Sequence, residues 1–113
     1  SDLISFFADK IHQLHQLQVN DVLIDVGFGF GKTLAHNFEL LKNLSLFKNL
    51  EVPILVGVSR KSMLYKTLDI SAKEALNATT SANTIALLNG ASILRVHDIK
   101  EAVEAVKIVA QIR

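Results

Sequence analysis

The chain has 113 residues, of which 50% are hydrophobic and 20% are charged, with no cysteine, no tryptophan and a single proline. This composition is that of a folded globular domain, and it excludes a disordered segment and a disulfide-stabilised scaffold. The 12 basic and 11 acidic residues leave a formal net charge of +1 and form no long run. The sequence therefore indicates neither a nucleic-acid partner nor a membrane surface.

The first segment, SDLISFFADKIHQLHQL, is predicted to form an amphipathic helix. Its charges interrupt every apolar stretch, which is typical of folded structure and not of a signal peptide or a membrane span. Its apolar residues recur at helical spacing: Leu3, Ile4, Phe7, Ile11, Leu14 and Leu17. The absence of cysteine is typical of a reducing compartment, so we expect a cytoplasmic location.

A strand, a loop and a second helix are predicted next. VLID at residues 22–25 has the character of a short buried strand, and it runs into the glycine-rich loop GFGFGKT. From about Asn37, a residue suited to capping a helix N-terminus, FELLKNLSLFKNL has helical spacing. The helix is predicted to end before Val52-Pro53.

Two further strand-helix pairs complete the chain. ILVGV at residues 54–58 has no polar alternation, which predicts a strand covered on both faces. Residues 73–89 are predicted to form a helix that ends in a left-handed cap at Asn89-Gly90. A third buried strand at residues 92–96 leads into a last helix, EAVEAVKIVAQI.

The order α-βα-βα-βα predicts an α/β fold with parallel strands joined by right-handed crossovers. Residues 1–113 are expected to form one domain, because no linker or low-complexity segment interrupts them. The chain is too short for a complete eight-stranded α/β barrel, which needs about 200–250 residues.

Two familiar nucleotide-binding motifs fail on spacing in the glycine-rich loop. A GxGxxG fingerprint would need glycine where Lys32 stands, and a phosphate-binding P-loop would need glycine where Val26 stands. The glycines are equally compatible with a simple tight turn from strand to helix. His12 and His15 are three residues apart on the first helix, but no third metal ligand lies near them in sequence.

Polar residues follow each predicted strand. They are Asp25, then the segment SRKS at residues 59–62, then Arg95 and His97. The carboxyl ends of parallel strands meet at one edge, where ligands bind in α/β folds. Arg95 and His97 are two residues apart, so they are expected to point to the same side of their strand.

Each of these residues also has a purely structural interpretation. Asp25 is suited to capping the turn that follows it, and Arg60 and Lys61 are compatible with a solvated basic turn. Asp98 is suited to capping the last helix, and we expect that role for it. His36 is expected at the surface or in a cap at the start of the second helix.

Read together, DVGFGFGKTLAHNFELL, PILVGVSRKS and GASILRVHDIKE resemble the dihydropteroate synthases in order and spacing. The resemblance covers essentially the whole chain but only the later part of that family's (β/α)8 barrel, namely helix 5 and βα units 6 to 8. One departure is Val26 in Asp25-Val26-Gly27, where the family usually has proline. We expect this change to loosen the turn without removing the carboxylate.

The resemblance implies a transferase of folate biosynthesis. Such an enzyme condenses 6-hydroxymethyl-7,8-dihydropterin diphosphate with 4-aminobenzoate, and it releases 7,8-dihydropteroate and diphosphate. It also implies Mg²⁺, with the ligand expected in the earlier half of the barrel and none in this segment, and a homodimer. The active site formed by this chain alone is expected to be incomplete.

The family's pterin and diphosphate residues fall on four positions here. Asp25 is implied to accept hydrogen bonds from the pterin's planar two-donor edge, as a carboxylate does from guanidinium. Lys61 is implied to donate to the pterin's ring oxygen and nitrogen. Arg95 and His97 are implied to bind the diphosphate and to stabilise its growing charge. Lys61, Arg95 and His97 are therefore the expected catalytic residues.

Three further positions are implied in substrate binding. Phe30 and Ser62 match the aminobenzoate pocket, which is also where sulfonamide drugs bind in this family, although Phe30 is equally suited to a core position. Gly57 matches a point where the backbone approaches the pterin. Two alternatives remain: a non-catalytic pterin- or anion-binding half-barrel or assembly module, and a pterin-binding domain of a corrinoid-dependent methyltransferase.

Overall fold

A computed structural model describes residues 2–113 and contains a three-stranded sheet flanked by five α-helices. The elements in chain order are α1 (Asp2–Gln16), β1 (Ile24–Asp25), α2 (Leu34–Lys42), a 3-10 helix (Leu44–Leu50), β2 (Ile54–Val56), α3 (Ser62–Thr67), a short 3-10 helix (Ala72–Glu74), α4 (Leu76–Leu88), β3 (Ile93–Leu94) and α5 (Ile99–Ala110). The predicted α/β class is confirmed.

The strands are parallel and lie in the order β1-β2-β3. Ile24 pairs with Ile54 in the first ladder, and Val56 pairs with Leu94 in the second. This register brings the C-terminal ends of all three strands to one edge of the sheet. The ladders are shorter than the apolar runs that predicted them: β1 begins two residues later than predicted, and β2 ends two residues earlier.

The core lies between the sheet and the helices. Its centre is built from the strands and the residues directly after them, and it includes Ile24, Val26, Phe28, Ile54, Val56, Val58 and Met63. Val26 is 2% exposed, so the residue that replaces the family's proline contributes an apolar side chain to the core.

The second helix begins earlier than the sequence predicted. Thr33 caps α2, because its hydroxyl accepts a hydrogen bond from the backbone N–H of His36 at 3.1 Å. Asn37, the expected cap, lies inside the helix and is buried. His36 is exposed in the first turn, as expected, and the segment from Leu44 continues as the 3-10 helix and not as part of α2.

Two other expectations need correction. The third strand was predicted to be buried, but Ile93 is 39% exposed, because β3 is an edge strand of the described sheet and no strand within residues 2–113 covers its outer side. The helix predicted from residue 73 starts at Leu76, and α3 before it was not predicted. The left-handed cap is present, since Gly90 has a φ of 108°.

No helix within residues 2–113 is long and apolar enough to cross a membrane.

Candidate active site

The ends of the outer strands are joined by an ion pair that crosses the middle strand. Arg95, directly after β3, donates from Nη1 to Oδ2 of Asp25, the last residue of β1, at 3.0 Å. Its guanidinium lies over Gly57, where an added Cβ would stand 2.6 Å from Nη2 of Arg95. The predicted convergence of Asp25 and Arg95 is therefore found. The missing side chain of Gly57 leaves the space that the guanidinium occupies.

Asp25 is held in its ionised form. Partial burial opposes ionisation, but the backbone N–H of Gly27, which donates to Oδ1 at 2.9 Å, and the contact with Arg95 outweigh it. Together they hold the pKa of Asp25 below its ordinary value. Asp25 thus closes the turn, as its structural interpretation proposed, and it also presents a charged carboxylate at the strand ends.

The glycine-rich loop after β1 adopts a backbone that few other residues could follow. Gly27, Gly29 and Gly31 have φ values of 72°, 86° and 67°, in the left-handed region that glycine enters at low cost. The buried side chain of Asn37 accepts from the N–H of Gly29 at 2.9 Å. The loop leaves Phe30 71% exposed, so the interpretation of Phe30 as a core residue is wrong.

Lys61 lies between this loop and the other strand ends. Its Nζ donates to the carbonyl oxygen of Phe28 at 2.6 Å and stands 5.1 Å from the ring centroid of Phe30. Burial, followed by the nearby charge of Arg95, lowers the pKa of Lys61, although Asp25 opposes the shift. Lys61 is thus a partly desolvated cation between a carbonyl group and an exposed aromatic face.

His97 is oriented by a buried serine. Ser59 is 6% exposed, and its hydroxyl oxygen Oγ lies 2.7 Å from Nδ1 of His97. The same oxygen accepts a hydrogen bond from the His97 backbone N–H at 3.2 Å. The hydrogen bond between Oγ and Nδ1 runs in either direction, depending on the tautomer, and in both cases it fixes the orientation of the imidazole.

Arg60 and Asp98 form a second ion pair, which joins the loop after β2 to the residue before α5. Arg60 donates from Nη2 to Oδ1 of Asp98 at 2.9 Å and from Nε to Oδ2 at 3.0 Å, and this contact holds the pKa of Asp98 below its ordinary value. Asp98 precedes α5 but makes no side-chain cap. Its expected capping role and the interpretation of Arg60 as a solvated turn residue are both wrong.

Two small cavities share Lys61. One, of about 110 Å³, is lined by Gly57, Ser59, Lys61, Arg95, Val96 and His97. The other, of about 230 Å³, is lined by Phe28, Gly29, Phe30, Lys61 and Ser62. Every residue singled out as substrate-binding lies on one of these cavities, except Asp25, which is bonded to Arg95. We call this set the rim: Asp25, Phe30, Gly57, Lys61, Ser62, Arg95 and His97. Larger cavities of about 340 and 410 Å³ lie elsewhere, against helix faces.

The rim does not fit a divalent cation. Asp25 is its only carboxylate, and both carboxylate oxygens already accept hydrogen bonds, while Lys61 and Arg95 bring positive charge. Among the described residues no group of three or more His, Asp or Glu side chains could hold a metal ion. The arrangement suits an anion, together with a planar donor group at Asp25.

Three supporting residues were not assigned by sequence reasoning. Ser59 stands out in the sequence only as part of a polar segment, and Asn37 only as a capping residue. Thr79, whose hydroxyl accepts from the Arg60 backbone N–H at 3.0 Å, has neither feature. Each is a polar side chain at most 6% exposed. A polar residue at an apolar position of a helix is the signal that points to Asn37 and Thr79.

The chain belongs to the pterin binding enzymes. The model of the family described as "Pterin binding enzyme" matches residues 1–97, which include every rim residue. The dihydropteroate synthase of Escherichia coli is 42% identical over 106 residues, which are 92% of this chain and 38% of that protein. The predicted resemblance to dihydropteroate synthases is thus confirmed.

Solved structures agree with the sequence comparison. A Yersinia pestis dihydropteroate synthase with a pterine-sulfa conjugate superimposes with a TM-score of 0.94 at 42% identity, covering 99% of this chain and 45% of that one. The same enzyme in a sulfonamide drug complex gives a TM-score of 0.92 at 42% identity, with 99% and 42% of the two chains covered. The chain therefore spans less than half the length of these relatives.

Proposed function

We propose that the chain is the C-terminal part of the (β/α)8 barrel of a dihydropteroate synthase, with residues 1–113 supplying helix 5 and βα units 6 to 8. The observation that carries the proposal is the position of Lys61. It lies between a cavity with Arg95 and His97 and a cavity with Phe30 and Ser62. A transferase that joins an anionic pterin to an aromatic amine needs two such adjoining sites.

The pterin side uses Asp25, Lys61 and Arg95. The carboxylate of Asp25 accepts from the pterin's 2-amino group and ring N–H, which form a planar edge like that of a guanidinium. Lys61 donates to the ring oxygen and nitrogen. The Arg95 guanidinium fills the space over Gly57. When the pterin binds, Arg95 moves to cover the pterin, and the Gly57 backbone approaches the pterin in the space that is freed.

The reaction breaks the bond between the pterin's methylene carbon and the diphosphate oxygen, and the amine nitrogen of 4-aminobenzoate forms the new bond. Arg95 and His97 stabilise the negative charge that grows on the departing diphosphate. Phe30 and Ser62 bind the aminobenzoate beside Lys61. The amine proton released on bond formation passes to solvent.

The remaining parts of the site belong to the earlier half of the barrel. They include the Mg²⁺ ligand, because the rim of this chain does not fit a divalent cation. When bound, Mg²⁺ would neutralise charge on the diphosphate. The complete protein acts in the cytoplasm as a homodimer. The rim of this chain contacts each substrate on one side only.

The test is an assay of dihydropteroate formation from dihydropterin diphosphate, 4-aminobenzoate and Mg²⁺, using the longest native polypeptide that contains this chain. We expect activity that Lys61→Ala lowers by at least a hundredfold. Lys66→Ala is the matched control, because Lys66 is exposed on α3 and lies outside both cavities. Pterin or diphosphate binding without turnover would instead favour a non-catalytic binding module.

A further inference from the structure

We propose that Arg60 and Asp98 are positioning residues that clamp the loop after β2 to the loop after β3, and so hold Lys61 and His97 in place on the rim. The kinetic consequence of this inference rests on the proposed function. The resemblance assigns neither Arg60 nor Asp98 to a substrate.

The clamp consists of two consecutive contacts. Ser59 binds His97, and the next residue, Arg60, binds the next residue, Asp98. Arg60 directly precedes Lys61, and Asp98 directly follows His97. The ion pair therefore fixes the backbone next to each of these two rim residues, and it keeps the Ser59 hydroxyl within reach of the imidazole.

Arg60 is committed to this role by its hydrogen bonds. Besides its two bonds to Asp98, Nη1 donates to the carbonyl oxygens of Ala72 and Lys73, each at 2.8 Å. Four of the five guanidinium donors are thus in use. An arginine engaged in this way has little capacity left for a substrate anion, whereas Arg95 is bound through Nη1 alone to Asp25.

Arg60 stands at a turn position that glycine would fit better than arginine does. Lys61 N–H donates to the Val58 carbonyl at 3.1 Å, and Arg60, the third residue of this turn, has a φ of 53°. Glycine suits that conformation best. An arginine there has a conformational cost, which its side-chain contacts with Asp98 and with the carbonyl oxygens of Ala72 and Lys73 offset.

Two variants of the longest native polypeptide separate the clamp from the turn. Arg60→Gly favours the turn and removes the guanidinium, and Asp98→Asn removes one charge without changing a backbone contact. For both we expect a folded protein whose kcat for dihydropteroate formation falls at least tenfold, with a smaller change in KM. We also expect the ¹⁵N shifts of the two His97 ring nitrogens to differ from those of the parent protein. Asp98→Glu should restore part of both signals.

Asp9→Asn is the control, because Asp9 is an exposed residue of α1, and both readouts should stay as in the parent protein. A folded Arg60→Gly variant with unchanged kcat and an unchanged His97 ring would overturn the inference. If Arg60→Gly does not fold, Asp98→Asn decides by the same two readouts. If the parent protein forms no dihydropteroate, the proposed function fails, and the His97 ring still decides whether the clamp exists.

Discussion

The guanidinium of Arg95 donates to the carboxylate of Asp25 at 3.0 Å across the middle strand of the sheet. A guanidinium and the amino edge of a pterin offer a carboxylate the same pair of planar donors. Arg95 therefore occupies one of the oxygens that the proposed function gives to the pterin. We expect pterin binding to displace Arg95 from Asp25 and to free it for the diphosphate.

Asp25→Asn should abolish pterin binding while leaving the fold nearly unchanged. The amide oxygen of asparagine can still accept from Gly27, but the amide cannot accept from both donors of the pterin edge. Hydrogen bonds to a charged group contribute about 1.5–3 kcal/mol each, whereas an exposed ion pair such as Asp25 with Arg95 contributes at most about 1 kcal/mol to stability. Calorimetry with a dihydropterin and thermal unfolding measure the two effects. Asp21→Asn is the control, and unchanged affinity in Asp25→Asn would contradict this role.

Gly57→Ala should impair the site more than the fold. The new Cβ meets the end of the Arg95 side chain, which can move away, so we expect a small change in melting temperature. The new Cβ also enters the space over Gly57 that the proposed function gives to the pterin, so kcat/KM should fall about tenfold, equal to about 1.4 kcal/mol.

Gly90→Ala should give the opposite result. Gly90 has a φ of 108° at the end of α4, where alanine is strained, and it lies outside the rim. We expect lower stability with unchanged kinetics. The prediction for Gly57 fails if both variants change stability and kinetics in the same proportion.

The placement of the rim was predictable because it depends on topology. Parallel strands end at one edge, so Asp25 and Arg95 had to lie close together once three βα units were recognised. The contact between Arg60 and Asp98 could not be predicted. Arg60 has a positive φ, and no sequence pattern assigns that conformation to an arginine. The start of α2 was predicted wrongly because Asn37, a residue type suited to capping, instead accepts a hydrogen bond from the N–H of Gly29. α3 is too short to show periodicity.

Lys61 should lose its proton at a lower pH than an ordinary lysine does. Its pKa is lowered by burial and by Arg95, so between the folded and the unfolded pKa the unfolded chain binds more protons, and stability from this group rises with pH. In that alkaline window the parent protein should gain stability relative to Lys61→Met. NMR titration of the Lys61 Cε locates the pKa, and denaturant unfolding measures the stability difference. Lys66→Met is the control, and a difference that stays constant through the window would refute the assignment.

The 113-residue chain by itself should form no dihydropteroate, although the longest native polypeptide that contains it should. The rim holds Asp25, Lys61, Arg95 and His97 but no site for Mg²⁺, and the chain spans 38% of the Escherichia coli relative. Orientation of two substrates accounts for about 7–11 kcal/mol of a reaction barrier when it is complete. A rim that contacts each substrate on one side supplies only part of this energy.

The assay follows dihydropteroate formation with both substrates and Mg²⁺, using purified chain whose mass excludes any longer contaminant. The longest native polypeptide is the positive control. β1 and β3 are edge strands of the described sheet, and open edges favour association, so the oligomeric state is measured in the same samples. Activity of the short chain within about tenfold of the control, lost in Lys61→Ala, would show that this chain or an oligomer of it assembles a working site.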